Sequence, residues 1–333
     1  MRLSFVSKLE ELCRVDPDIY LLSADLGFRL FDDFRKKHPG RFLNTGVAEP
    51  NMIGLAAGLA LSGKKVYCYS MVPFLTMRCF EQIRLDICCH DLDVKLIGGG
   101  GGLAYGLEGV THHSIEDIAV MRSLPNMKVI SPGDPLEAEL CIEESFKYRG
   151  PMYVRLGRTG EPAVHGTVPD FQIGKAINVI DAGRDICIFA TGNMLYKALQ
   201  AARLLLKKKI GVTLFSMHTI KPVDHDLIVS CAGSFRSVFT VEEHSIVGGL
   251  GSAVSEVLAE ESYGGIFRRI GIPDEFNRYV GKNEFLLDKY GLSAGKIAEK
   301  MEWVLREQPG LPGAYEKPAV YSGDKQDGKN NIS

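Results

Sequence analysis

The chain alternates short apolar segments with helical stretches, and it does so twice, with a polar lapse between the two series. In the first series, segments 19–23, 66–70, 94–98, 128–131 and 152–156 read as strands, separated by helical stretches such as 80–90 and 134–148. Strands interleaved with helices in this way require a parallel sheet with helices packed on its faces. Between Thr159 and Gln172 the pattern lapses into Gly, Pro, His and Asp, which suits a linker. A second alternation follows, with strands expected at 186–190, 212–215 and 237–241, and helices at 194–208, 251–261 and 293–306. The expected fold is therefore α/β, as two three-layer α/β/α domains. Residues 1–158 form a parallel-sheet domain, 159–172 a linker and 173–307 a mostly parallel second domain, while 308–333, rich in Gly, Pro, Lys, Asp and Asn, form a tail that is disordered or ordered only by contact.

Several function classes are excluded by what surrounds this pattern. With 333 residues the chain has room for two ordinary domains. A net charge of -2 and a pI near 6.5, with Lys and Arg scattered among acids, give no field suited to nucleic acid. The longest strongly apolar run, 53–61, is about half of a membrane span, and the N-terminus reads as an amphipathic helix (Leu3, Val6, Leu9, Leu12) rather than a cleavable signal. A cytoplasmic location is expected. Cysteines such as Cys68, Cys141 and Cys187 fall in apolar segments, Cys88 and Cys89 are adjacent, and no CxxC or Cys/His ligand spacing occurs, so the thiols read as reduced core residues and no metal site is expected.

One acid is conspicuous. Glu49 precedes Pro50, which favours the first helical turn, and the residues that follow to Ala60 are Gly, Ala, Leu, Ile and Met apart from Asn51. So apolar a helix packs closely and desolvates a carboxylate at its mouth, which needs a partner for its charge or its proton. A simple helix cap would use the same residue.

The segment from Asn44 to Ala60 resembles the cofactor-binding motif of the transketolase superfamily of thiamine diphosphate enzymes. The resemblance continues through Gly106-Leu107-Glu108-Gly109-Val110-Thr111-His112-His113, Met121-Arg122-Ser123-Leu124-Pro125-Asn126-Met127, Val241-Glu242-Glu243-His244 and Gly248-Gly249-Leu250-Gly251, and it spans about residues 5 to 305. It implies a transketolase-like pyrimidine-binding domain followed by the family's C-terminal domain. The family's first domain, with the Gly-Asp-Gly motif that holds magnesium and the diphosphate, has no counterpart here, since the two Gly-Asp pairs continue as Gly133-Asp134-Pro135 and Gly323-Asp324-Lys325. The resemblance therefore implies the C-terminal subunit of a split transketolase. A separate N-terminal subunit would hold most of the diphosphate and Mg2+, in an α2β2 heterotetramer acting on small sugars or sugar phosphates.

Residue by residue, the resemblance makes Glu49 the carboxylate that hydrogen-bonds the aminopyrimidine ring and enables deprotonation of the cofactor. Phe74 is the first candidate for the aromatic platform under that ring, with Met77 and Phe80 as neighbours able to share the role. His112 matches the histidine that contacts substrate hydroxyls and assists proton transfer, and His113 is either a support behind it or solvated. Glu108 stands where many relatives place an aspartate that recognises a substrate hydroxyl. Gly100, within the five-glycine run 98–102, stands where sugar-phosphate transketolases have a phosphate-contacting histidine, and it permits close approach or a flexible loop. Arg158 best matches the family's phosphate-binding arginine, with Arg155 beside it, and an interdomain salt bridge is the plainer use of an arginine at this linker. The Gly248–Gly251 turn lacks the spacing of a dinucleotide site, and Glu242, Glu243 and His244 read as structural or as a subunit contact.

Other readings stay open from sequence: the E1 beta subunit of a 2-oxoacid dehydrogenase, an enzyme like deoxyxylulose phosphate synthase, or a non-catalytic assembly subunit. Glu49 and His112 speak against the last.

Overall fold

The computed structural model describes residues 1–158 and 160–307, so the expected tail at 308–333 lies outside the described residues. Among the described residues twelve strands form two sheets with helices on both sides. The first sheet contains β1 (Ile19–Ser23), β2 (Phe42–Asn44), β3 (Lys65–Met71), β4 (Val94–Gly99), β5 (Lys128–Ile130), β6 (Met152–Leu156) and, from much later in the chain, β10 (Thr219–Lys221). The second contains β7 (Ile177–Ala182), β8 (Ile186–Ala190), β9 (Val212–Ser216), β11 (Ser237–Ser245) and β12 (Ile266–Ile272).

Strand order in the first sheet is β10-β5-β6-β4-β3-β1-β2, parallel throughout except for β10, which runs antiparallel to β5 with Thr219 opposite Ile130. Side chains alternate between its two faces, as the pleat requires. Leu21, Tyr67, Ile97 and Val154 share a core with the helices Arg2–Val15 and Pro135–Lys147, while Leu22, Cys68, Leu96 and Tyr153 share the opposite core with Met52 and Ile53 of the helix Glu49–Leu61. That second core continues without a break into the other half of the chain, through Cys187, Phe189 and Val238 and the helices His225–Ser234 and Leu250–Glu260. The second sheet, in the order β12-β11-β8-β9-β7, is parallel apart from β7, and its far face packs on the helices Met194–Lys207 and Ala294–Glu307.

The structure departs from the sequence reading in two places. The stretch 80–90, expected as one helix, begins as the turn Phe80–Gln82 and widens into a π-helical segment, Ile83–Cys88. The run of glycines after β4 is not a flexible loop. An added Cβ would lie 2.0 Å from the Tyr105 ring at Gly100, whose φ is +79°, and 2.6 Å from Arg155 at Gly101, so the backbone is packed against side chains that need glycine there. Cys89 is exposed and the other seven cysteines are buried and unpaired. Among the described residues no helix is long and apolar enough to cross a membrane.

Candidate functional site

Glu49 opens its helix with Pro50 behind it, and its carboxylate is 1 % exposed. It does not cap its own helix. Its oxygens accept instead from the Ser70 hydroxyl at the end of β3 (3.3 Å) and from Arg78 Nη1 (2.6 Å), so the partner that burial demands is an arginine 29 residues away. The chain reverses direction after β3 through the short helix Val72–Thr76, which brings Arg78 back over the carboxylate. The same guanidinium lies 4.5 Å from the centre of the Phe74 ring. Glu49, Arg78 and Phe74 thus form one cluster: a buried anion, a half-exposed cation and a half-buried aromatic face.

His112 reaches this cluster from another loop. Its ring centre is 5.3 Å from that of Phe74 and 6.2 Å from that of Tyr105, edge to face in both cases. The loop 103–113 is closed at its base by reciprocal backbone bonds between Gly102 and Ser114 (2.8 and 2.9 Å) and turns at Gly109, whose φ is +78°. Thr111 Oγ1 lies 2.9 Å from His112 Nδ1, which leaves Nε2 as the nitrogen available to a substrate. Tyr105, beyond His112, also carries the Arg158 guanidinium at 4.8 Å from its centre. Glu49, Phe74, His112, Tyr105 and Arg158 therefore form a continuous row.

The other expected residues separate into members of this row and supports for it. Glu108 lies 4.0 Å from Arg158, at the edge of an ion pair. Phe80 packs on the core beneath the sheet and Met77 is exposed, so of the three platform candidates only Phe74 faces both Glu49's partner and His112. Arg155 is buried: its Nε donates to Asp117 (2.8 Å) and its Nη2 to the carbonyls of Ser114 (3.0 Å) and Glu243 (2.9 Å). The interdomain tie considered for Arg158 is made by Arg155, and Arg155 is a structural arginine rather than a substrate contact. At Gly100 the Tyr105 ring occupies the space a side chain there would need. His113 is buried, not solvated, and burial followed by the nearby His112 charge pushes its pKa down.

The glycine turn at 248–251 also finds its reason. Glu242 accepts from the amides of Leu250 (2.7 Å) and Gly251 (2.8 Å), stitching the N-terminus of the helix Leu250–Glu260, and an added Cβ at Gly249 would lie 2.1 Å from the Glu242 carboxylate. Burial pushes the Glu242 carboxyl up to about 7 against those bonds, and it pushes the His244 imidazole down to about 4. Glu243 accepts from the amide of Leu103 and from Asn283 Nδ2, each at 2.8 Å. Glu243 thus ties the base of the site loop to the second half, Glu242 serves the start of the helix Leu250–Glu260, and His244 Nε2 accepts from the amide of Ala119 at 3.4 Å.

A cleft of about 380 Å³ opens beside this row, lined by Gly106, Leu107 and Arg158 from the first half and by Asn193, Lys197 and Lys282 from the second. Glu49, Phe74 and His112 do not line it, so its chemistry is that of the row's Arg158 end. Sequence reasoning missed Arg78 and Tyr105. Arg78 is the one cation in the stretch 70–80 that stands out for its aromatic residues, and Tyr105 is an aromatic standing between glycine turns; both were visible as residue types but not as partners.

The chain is similar to known proteins in sequence and in fold. Residues 1–161 match the family model of the transketolase pyrimidine-binding domain, and residues 174–297 that of the transketolase C-terminal domain. The chain is 40 % identical over 300 residues to an apulose-4-phosphate transketolase subunit of Phocaeicola vulgatus, covering 90 % of this chain and 95 % of that one. It is 37 % identical over 298 residues to the 6-deoxy-6-sulfo-D-fructose transketolase subunit SqwH of a Clostridium species, covering 89 % and 92 %. Among solved structures, a split gene transketolase described as an inactive beta4 tetramer superposes with a TM-score of 0.84 at 38 % identity, over 92 % of this chain and 98 % of that chain.

Proposed function

Because the chain belongs to the transketolase family, matching its pyrimidine-binding and C-terminal domains along nearly its whole described length, we propose that it is the C-terminal subunit of a split transketolase. In this reading it transfers a two-carbon ketol unit from a ketose to an aldose acceptor, with thiamine diphosphate at the interface with a separate N-terminal subunit. The observation that carries the reading is Glu49: a carboxylate 1 % exposed, beside an aromatic face and within one ring of a histidine.

The residues present fit the pyrimidine end of that cofactor. A buried acceptor carboxylate answers a ring nitrogen, and the half-buried Phe74 face answers an aromatic ring. Glu49 and Phe74 would hold the aminopyrimidine, while the diphosphate and Mg2+ are assigned to the partner. When bound, the cofactor would supply a carbon nucleophile and an electron sink for cleavage of the carbon-carbon bond next to the ketose carbonyl. Glu49 accepts a hydrogen bond in a site from which water is excluded, which strengthens it. His112 Nε2, freed by the Thr111 contact at Nδ1, exchanges a proton with the substrate hydroxyl. Arg158, its face covered by Tyr105, presents its edge to the anionic end of the sugar.

That anion is a phosphate or a sulfonate. The names of two relatives carry one of each, and a guanidinium fork suits both. Arg158 stands at the end of the row where the cleft opens, with Lys197 and Lys282 across it.

The partner surface is proposed on the helix Glu49–Leu61. Asn51, Gly54, Leu55, Gly58 and Leu61 form one exposed stripe, and no atom lies within 4 Å of an added Cβ at Gly54 or Gly58. So smooth a face admits a second helix at close range. It lies on the helix that Glu49 opens, so an N-terminal subunit docked there stands next to the pyrimidine site. An α2β2 assembly in the cytoplasm follows from this reading, and the chain alone is expected to be inactive.

The test is calorimetric titration of thiamine diphosphate and Mg2+ into the chain alone and into its mixture with the N-terminal subunit, followed by a ketol-transfer assay. Tight binding and turnover only in the mixture support the proposal. Tight metal-dependent binding by the chain alone, or turnover unchanged in Glu49→Ala, would sink it.

A further inference from the structure

The loop that carries His112 is held from outside its own domain. Gly281 N donates to Gly106 O at 3.2 Å, and the two backbones approach so closely that an added Cβ at Gly106 would lie 2.3 Å from the Gly281 carbonyl oxygen. Four residues before Gly281, Asn277 Nδ2 lies 3.2 Å from His113 Nδ1, both residues being buried. The orientation of the Asn277 amide is fixed independently of the histidine. Its Oδ1 accepts from the backbone N–H of Tyr279 (3.0 Å) and from the Tyr290 hydroxyl (3.0 Å), and its Nδ2 donates to the carbonyl of Tyr279 (2.8 Å). A backbone N–H can only donate and a carbonyl can only accept. The atom facing His113 is therefore the amide nitrogen, a donor, and Nδ1 must be the bare nitrogen of the ring.

We propose that Asn277 is a positioning residue for the candidate active site: it holds His113 neutral with its proton on Nε2, and through that ring it fixes the adjacent His112 against Phe74. The proposal rests on the reading of His112 as the residue that contacts substrate. His113 Nε2 is buried without a hydrogen-bond partner of good geometry, and the carbonyls of Tyr105 and Gly106 lie beside the ring. The titratable groups facing His113 are His112 and Glu108 of its own loop; from the second half Tyr290 stands behind Asn277, with Glu275 and Arg278 near Tyr290. Protonation of His113 would put a second N–H against the Asn277 amide. The anchor is thus intact above the depressed pKa of His113 and fails as pH falls through it. The second half of the chain, which contributes no residue to the row from Glu49 to Arg158, acquires a part in the chemistry by this route.

The experiment uses the full chain with histidine labelled in 15N, alone and assembled with the N-terminal subunit. Two-bond nitrogen-proton correlations should show neutral His113 with its proton on Nε2 at pH 7, titrating below 6.5. In Asn277→Asp, whose carboxylate accepts where the amide donated, the proton should move to Nδ1 and the pKa should rise. In the assembled enzyme Asn277→Ala should lower kcat by about 10- to 100-fold with KM changed by a few fold at most, as for a misplaced catalytic group. A wild-type His113 carrying its proton on Nδ1 would overturn the tautomer, and a kcat unchanged in both variants would overturn the positioning role. Should Asn277→Ala not fold, the wild-type tautomer and Asn277→Asp still decide the matter. Loss of the functional reading would show separately, as a wild-type complex that performs no ketol transfer whatever the His113 tautomer.

Discussion

Arg78 closes over Glu49 at 2.6 Å while the same guanidinium stacks on Phe74, so the anion and the aromatic face of the candidate pyrimidine site are joined through a single side chain. Glu49 is fully buried and Arg78 is half-exposed, which makes the pair asymmetric: loss of the cation strands a buried charge, whereas loss of the acid frees a cation that can turn to water. Arg78→Ala should destabilise the chain by about 1–2 kcal/mol, between the values for exposed and fully buried pairs. Glu49→Gln should cost less, and the double variant should fall well short of the sum. Urea titrations at fixed pH read all three, and strict additivity would show that the two side chains do not interact energetically.

In the assembled enzyme, Glu49→Gln keeps the size of the side chain and removes its charge. Cofactor binding should weaken by no more than about tenfold, while ketol transfer falls by at least 100-fold, the usual scale for loss of a group in proton transfer. Single-turnover rates with saturating cofactor separate the two effects; retention of more than a tenth of the rate would remove Glu49 from the chemistry.

Arg158 gives a prediction about substrate charge. Arg158→Ala should raise KM for a phosphorylated or sulfonated sugar by about 10- to 100-fold, the worth of a charge-assisted hydrogen bond, and leave an uncharged sugar nearly unaffected. Equal losses for charged and neutral substrates would mean that Arg158 supports Tyr105 rather than binding an anion.

The open stripe on the helix Glu49–Leu61 predicts a separation of folding from assembly. Gly58→Arg meets no atom within 4 Å of its Cβ and replaces a poor helix former, so the isolated chain should be as stable or gain about 0.5–1 kcal/mol. Light scattering should nevertheless show that it no longer forms a complex with the N-terminal subunit. A complex of normal size and affinity would place the interface elsewhere.

A pH effect is expected at the linker. His165 is docked on Glu137 at 2.7 Å, and burial opposes its charge while the Glu137 hydrogen bond and charge, with Asp134, outweigh that and raise its pKa above 6.5. A histidine whose folded pKa is raised adds stability that is complete below its unfolded pKa and disappears as pH rises through the folded one. Linker docking should therefore weaken on going from pH 6 to above the raised pKa, and His165→Gln should flatten that dependence. Protease cleavage within 160–172, followed against pH, measures it; identical profiles for both proteins would dismiss the pair.

How far the sequence disclosed all this depends on burial. Strands covered on both faces, such as β8, announce themselves as unbroken apolar runs, and the limits of β8 were legible from them. β7, β10 and β12 lie at sheet edges, where one side faces solvent or another segment, so their sequences mix Asn178, Asp181, Lys221, Arg268 and Arg269 with apolar residues and look like loop. At the site, Glu49 was legible because a charge among small apolar residues has no ordinary reason to be there. Arg78, Tyr105 and Asn277 were not, because each acts on a residue 5 to 164 positions away, and only the folded chain brings them together. The last three glycines of the run misled for the same reason: the side chains that need Gly100, Gly101 and Gly102 to lack a Cβ come from Tyr105, Arg155 and Glu243.

The strand Thr219–Lys221 lies in the second half of the chain yet forms the outer edge of the first sheet, laid against β5. The halves are consequently not interchangeable modules. A fragment ending at the linker would expose the hydrogen-bonding edge of β5 and invite aggregation. A chain nicked between 160 and 172 would keep its strand in place and travel as one particle. Fusing or swapping the C-terminal domain among relatives would have to carry this strand's match to its new sheet, a constraint that domain boundaries drawn along the sequence leave out.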